Sequence, residues 1–313
     1  MISSDQSPYF NPLAVLPGGL GLLLTIEMCR LWPDLSPLYG SRQLLSSELL
    51  MIQQRPYFFS IHSLGWSISL SVTEIVVYTL ALLYISCGLL LFLGRTTLAI
   101  TLTLFFLHYV FFISNYTWSY GADYLAQTGL FFSLLFGLGT SKDTSRKTWM
   151  LIGHHLFRLQ LSFVYFFAGL GKAMGTAWWN GEAIWKAVQQ PFAPPLIAIP
   201  IAVQHLAPLW MLLGILTVIF EISYPLVWIR GVVRPTIITG IVLMHVGIGL
   251  CMGLTHFSCL MIWYNLCAWS GPLLQYIAKP IIKPLEPFKS LLQVWRTTIL
   301  LDTRKGGDKQ QYH

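Results

Sequence analysis

Apolar residues run through this chain in long unbroken blocks, and polar residues collect between them. Eight such blocks read as helices, at residues 12–30, 68–93, 96–114, 122–140, 149–174, 205–229, 235–255 and 257–275. An α-helix needs about 20 apolar residues to cross roughly 30 Å of hydrocarbon. The pattern therefore predicts an all-α fold, a polytopic membrane helical bundle of about eight transmembrane helices. No internal repeat is visible.

Two long connections interrupt the blocks. Residues 31–67 mix turn signals with short amphipathic pieces, and residues 175–204 contain WWNGEAIWKAVQQPFAPP, rich in Trp and Pro. Tryptophan favours the headgroup zone, so the second connection is expected to lie along a membrane surface or dip into it. The pattern divides the chain into a transmembrane domain, 1–275, and a basic tail, 276–313, in which PFKSLLQVWRTTILLD suits a short interfacial helix.

Composition sharpens this picture. Of the 313 residues 55% are hydrophobic and only 10% charged, against about a quarter charged in a soluble domain. So little polar surface cannot cover a water-soluble globule, and membrane lipid is the expected solvent. The opening MISSDQSPYFNP lacks the basic segment of a cleaved signal peptide, so the first block is expected to be a retained span. The net charge of +7 would suit nucleic acid, but the basic residues sit in short loops and the tail, where headgroups and topology account for them. No nucleic-acid partner is expected. With eight alternating spans and a cytoplasmic N-terminus, 13 Lys and Arg fall on the cytoplasmic side and 4 outside. That bias predicts both termini in the cytoplasm. The five cysteines (Cys29, Cys87, Cys251, Cys259 and Cys267) lie in apolar stretches without a CxxC pair, and no span carries HxxxH or ExxH spacing. Neither a disulfide framework nor a metal is expected.

Ionisable groups inside spans are costly and usually face protein or a cavity. The fifth span is the most informative. His154, Arg158, Ser162, Tyr165, Gly169 and Lys172 recur at steps of three and four, which puts them on one helix face. In the eight-span arrangement Glu27, Glu74, His108, Asn115, Asp123, Lys172, His205 and His256 sort to the outer side, and His154, Arg158 and Glu221 to the inner. Arg158 and Glu221 are the expected structural ion pair, since neither is tolerated alone at that depth. His245 and His256 are read on one face of the seventh span, with Gly249 between them. Glu27 and Glu74 suit either packing or a cavity. Lys172 has two readings: a desolvated amine acting as a general base, or a long side chain reaching up to the headgroups.

Residues 158–181, RLQLSFVYFFAGLGKAMGTAWWNG, resemble the HTTM (horizontally transferred transmembrane) domain family, which includes the vitamin K-dependent gamma-glutamyl carboxylase. The pattern is an aromatic span ending in A-G-x-x-K, then Trp and Gly: Ala168, Gly169, Lys172, Trp178 and Gly181. NYTWSYGADYL, with Asn115, Gly121 and Asp123, and LMHVGIGLCMGLTHFSCLMIWYNL, with His245, Gly249, Phe257, Met261 and Asn265, follow the family in order. The resemblance covers roughly residues 11–271. It implies an enzyme with Lys172 as catalytic base for a reduced quinone, a vitamin K-type hydroquinone, and no metal. Tyr165, Gly169, Trp178, Trp179, His108, Asn115, Asp123, His245, His256 and Asn265 would form the pocket. The implied reaction is a carboxylase-like modification of a peptide at the outer face of a bacterial plasma membrane. Two positions depart from the carboxylase: Gly171–Lys172 stands where it has adjacent lysines, and Tyr116 where a functional histidine is expected. In length the chain is closer to a smaller subgroup that matures a secreted toxic peptide (the sporulation-delaying system). That subgroup implies the alternative: a non-catalytic accessory protein for maturation or export of a small secreted peptide precursor.

Overall fold

A computed structural model describes residues 15–40, 61, 70–114, 119–137, 144–189 and 193–269. Every regular element among them is helical. The first is α1 (Leu16–Leu31), with Pro17 in its first turn, where a missing N–H costs nothing. A short 3₁₀ turn leads to α2 (Leu35–Tyr39). Three apolar helices follow: α3 (Leu70–Phe92), α4 (Leu98–Ser114) and α5 (Gly121–Gly137). The longest helix is α6 (Thr144–Ala173). Short pieces α7 (Thr176–Trp179), α8 (Glu182–Gln189) and α9 (Ile201–Gln204) lead to α10 (Ala207–Ser223), which continues as a 3₁₀ turn, Tyr224–Trp228. The last two are α11 (Val233–Cys251) and α12 (Thr255–Trp269).

The fold is all-α among the described residues, but the expectation of eight membrane spans is not met. Among the described residues three helices are long and apolar enough to cross: Val72–Phe92, Ala207–Trp228 and Val233–Cys251. The other blocks fold as helices that fail on length or polarity. Over their described residues, 16, 17, 17 and 15 in number, α1, α4, α5 and α12 reach about 23–26 Å, short of the ~30 Å of hydrocarbon. Helix α6 is long enough at 30 residues, but its sequence TSRKTWMLIGHHLFRLQLSFVYFFAGLGKA is too polar. Hydropathy along a sequence counts apolar residues without knowing whether they meet lipid or protein. Helix α12 shows the difference: Leu260, Met261, Tyr264, Asn265, Cys267 and Ala268 are all buried, and it packs against α1, α5, α6 and α11 as the centre of the bundle. The count of Lys and Arg on the two sides assumed eight alternating spans and falls with them, and so does the placement of both termini in the cytoplasm. The tail from 276 lies outside the described residues.

Helix contacts are close where glycines allow. Helix α1 packs on α3 through Gly21 and Gly88, and the Gly21 Cα lies so near the Gly88 carbonyl that a Cβ would stand 2.5 Å from it. Helix α6 packs on α10 at Gly169, where a Cβ would meet the Ile222 nitrogen at 2.7 Å. Small residues let backbones approach in this way. Gly253, at φ +72°, separates α11 from α12, a conformation that glycine adopts without steric cost. The 174–206 connection packs back on α10: Gly181 (φ +82°) sits against Trp210 and Met211, and the Trp185 and Trp210 indoles both donate to the Gln204 carbonyl at 3.1 Å. On exposed α8, Lys186 bonds Glu182 at 2.6 Å and holds its carboxyl below the ordinary range.

Candidate functional site

The residues expected to form one pocket divide among three groups. The first lies along α6. Its polar stripe faces protein: Ser162 and Tyr165 are buried while Phe163 and Phe167 are exposed. At the stripe's end Lys172 Nζ bonds Glu221 Oε2 at 2.7 Å, with the Glu221 side chain 6% exposed and that of Lys172 24%. The indole ring of Trp178 lies 5.2 Å from the same ammonium, within reach of a cation–π attraction. The expected pair was Arg158 with Glu221. Instead Arg158 donates to the Ala268 carbonyl at 2.7 Å and lies over the Trp269 ring at 4.6 Å. The α6–α10 register explains the change. The 174–206 connection carries the chain beyond the end of α6, so Gly214 packs on the backbone of Trp178 and Glu221 comes level with Gly169. Gly169 is therefore a packing position that brings Lys172 and Glu221 together. Trp179 is turned away, 45% exposed, and bonds the Ala173 carbonyl.

The second group is a buried chain of hydrogen bonds. The Trp269 indole donates to Tyr224 Oη at 2.9 Å, and Tyr224 donates to Asn265 Oδ1 at 2.6 Å. Asn265 Nδ2 donates to the Met261 carbonyl and to Tyr165 Oη, both at 2.8 Å. Tyr165 thus has its own proton left for His245 Nε2, 2.9 Å away. Indole and amide N–H groups only donate, so the chain runs in one direction as far as Tyr165; beyond it, His245 Nδ1 is buried without a hydrogen-bond partner among the described residues. Tyr165 stacks on Tyr224 with ring centroids 4.2 Å apart. These residues join α6, α10, α11 and α12. Asparagine does not pass protons along, so the network orients side chains and ties helices.

The third group surrounds a chamber of about 130 Å³ between α1, α2, α3, α4, α5 and α12. Glu27 enters from α1, Tyr39 from α2, Tyr84 from α3, His108 and Phe111 from α4, Asp123 from α5 and His256 from α12. His256 was expected to share a helix face with His245; the break at Gly253 puts it on α12 instead. His108 Nε2 lies 3.1 Å from the Asp123 carbonyl, which only accepts, so Nε2 carries the proton and Nδ1 accepts from Tyr84 at 3.0 Å. His108 thus ties α3, α4 and α5. Asp123 Oδ2 accepts the Tyr120 N–H at 2.9 Å and caps the start of α5. Glu27 Oε2 is the exception. This atom is buried and has no hydrogen-bond donor among the described residues, although the side chain as a whole is 38% exposed; Arg30 pairs with it at 3.5 Å and His256 stands at 3.8 Å. Arg30 gives its hydrogen bond to Thr255 at 3.1 Å. Burial raises the phenols of Tyr39 and Tyr120 well above their ordinary range, so both remain O–H groups. Burial also lowers His256 to about 4, helped by His108 and Arg30, so it is neutral at pH 7.

Asn115 lies outside the described residues. Glu27, Tyr39, Tyr84, Ser119 and Tyr120 are the polar chamber residues missing from the sequence-derived site. The signal for Glu27 was a carboxylate near the end of an apolar block; nothing in the pattern marked the tyrosines, since aromatic residues abound throughout. Among the described residues no group of three His, Cys, Asp or Glu is placed to hold a metal ion.

No family model, no curated protein and no solved structure matches the chain. The carboxylase-like reading of the sequence leaned on family resemblance, an eight-span bundle and Lys172 as a free base. With no family match and three membrane-length helices, that reading is overturned. The peptide-maturation alternative leaned on the same resemblance and falls with it. The geometry agrees: Lys172 is held at 2.7 Å by the Glu221 carboxylate rather than left free in a pocket.

Proposed function

We propose that this chain is a membrane protein, inserted through Val72–Phe92, Ala207–Trp228 and Val233–Cys251, that binds a small molecule in the chamber at Glu27. The observation that carries this reading is the chamber itself: six helices leave a space of about 130 Å³ beside a buried carboxylate oxygen that lacks a hydrogen-bond donor. The pocket is partly open, and its Glu27 oxygen has an ion-pair partner, Arg30 at 3.5 Å, but no hydrogen-bond donor; a ligand that fills the space and donates to Glu27 supplies one. Lys172, Arg158, His154 and Asn265 serve better as structure, because each has a protein partner.

Two measurements test the reading on the full chain. Membranes containing it should retain it through alkaline carbonate extraction; release into the supernatant would remove the membrane assignment. In detergent, a panel of small amines, alcohols and acids of about five to seven heavy atoms should include compounds that raise the thermal unfolding midpoint. Phe111→Trp, which fills the chamber, should abolish the rise, whereas Ile75→Ala on the exposed side of α3 should preserve it. A panel without effect, or equal effects in both variants, would sink the binding assignment.

A further inference from the structure

We infer that the ligand of this chamber is a small organic ammonium ion carrying at least one N–H, with Glu27 as its counter-ion. This rests on the chamber being a binding site and names the chemistry it would recognise. The charges select the sign. Two carboxylates, Glu27 and Asp123, line the space; Arg30, its side chain 57% exposed, lies outside that lining and divides its guanidinium between an ion pair with Glu27 at 3.5 Å and a hydrogen bond to Thr255. An anion would face both carboxylates. A neutral apolar molecule would leave Glu27 Oε2 without a donor. Asp123 accepts the Tyr120 N–H, whereas Glu27 Oε2 is a buried carboxylate oxygen without a donor. A charged N–H meeting that oxygen forms the stronger, charge-assisted kind of hydrogen bond.

The walls select an organic cation over a bare one. Tyr39, Tyr84, Phe111, Phe112 and Tyr120 border the space, and aromatic rings attract ammonium groups while accepting their alkyl substituents. A metal ion would need several ligating side chains converging, and none converge among the described residues. Size sets the limit: about 130 Å³ is close to the roughly 150 Å³ that takes a benzene molecule, so about five or six heavy atoms fit.

The experiment compares tert-butylammonium with its neutral isostere tert-butanol by isothermal titration on the full chain in detergent at pH 7.5. The expected result is binding of the ammonium at least about tenfold tighter than the alcohol. Glu27→Gln, which keeps size and one acceptor, should remove most of that preference, and Phe111→Leu should weaken the ammonium about threefold with little effect on the alcohol. Equal binding of both compounds overturns the ammonium assignment while leaving the chamber a binding site. Binding of neither compound, in a protein that other members of the panel stabilise, also overturns it. If no compound binds, both readings fail together. An ammonium preference that survives Glu27→Gln overturns the role of Glu27, and the wild-type comparison stands even if a variant does not fold.

Discussion

Two buried charge arrangements make opposite demands on their surroundings. The Lys172–Glu221 pair satisfies itself, so removing one member strands the other. Lys172→Met should lower stability by about 3–5 kcal/mol, and Lys172→Met with Glu221→Leu should cost clearly less than the sum of the single changes. Thermal unfolding of the three variants in detergent measures this; additive losses would show that the two side chains do not interact. His256 behaves differently because it is neutral and buried beside Glu27 and Arg30. The unfolded chain takes up its proton near 6.5, the folded chain only near 4. Between those values the unfolded state binds more protons, so stability falls as pH drops through that window and is unaffected by this group above it. The contribution reaches at most about 3 kcal/mol below pH 4. His256→Gln should therefore reduce the fall in unfolding midpoint between pH 7.5 and pH 5. An unchanged fall would assign it to other groups.

Helices here are positioned by where glycines permit contact. Gly169 sets the register of α6 on α10, and that register decides which cation meets Glu221. Gly169→Val would press against the Ile222 backbone nitrogen and the Glu221 Cβ, so α6 must shift and the Lys172–Glu221 bond should lengthen or break. Overpacking of this kind costs typically about 1–3 kcal/mol. In the Gly169→Val background, Lys172→Met should then cost much less than in the wild type. An undiminished cost would mean that the pair survives and that the glycine does not set the register. Gly253 acts at the same end of the bundle, against Ala193 of the 174–206 connection. By ending α11 it turns the chain so that α12 enters the centre and brings His256 to the chamber.

Across the molecule, the chamber joins the beginning of the described chain to its end. Glu27 and Arg30 on α1 meet Thr255 and His256 on α12 across more than 220 residues. The same assembly leaves wide apolar surfaces on the three membrane-length helices, with Leu82, Ile219 and Leu243 among the exposed residues. Two of these helices, Ala207–Trp228 and Val233–Cys251, are joined by only Ile229–Val232 in sequence. Such a short link makes them an antiparallel pair. In a chain whose native cysteines have been replaced, Ile201→Cys and Arg230→Cys, both at exposed positions, should be labelled by an impermeant maleimide from opposite sides of sealed vesicles. Labelling from one side would show that Ala207–Trp228 does not cross.

Apolar blocks alone specify that this chain is helical and roughly where each helix begins, because a run of Leu, Ile and Phe must hide its backbone polar groups wherever it is buried. The stripe from His154 to Lys172 is legible as a protein-facing surface for the same reason, since it follows from 3.6 residues per turn. The partners are not legible. Whether Glu221 meets Arg158 or Lys172 depends on a register that Gly169 and the 174–206 connection establish together. Whether α12 meets lipid or protein depends on which helices surround it, and its composition is compatible with either. The chamber is the extreme case. Its walls come from helices scattered through the chain, and the space between them is set by distances in the assembled bundle that no local pattern encodes.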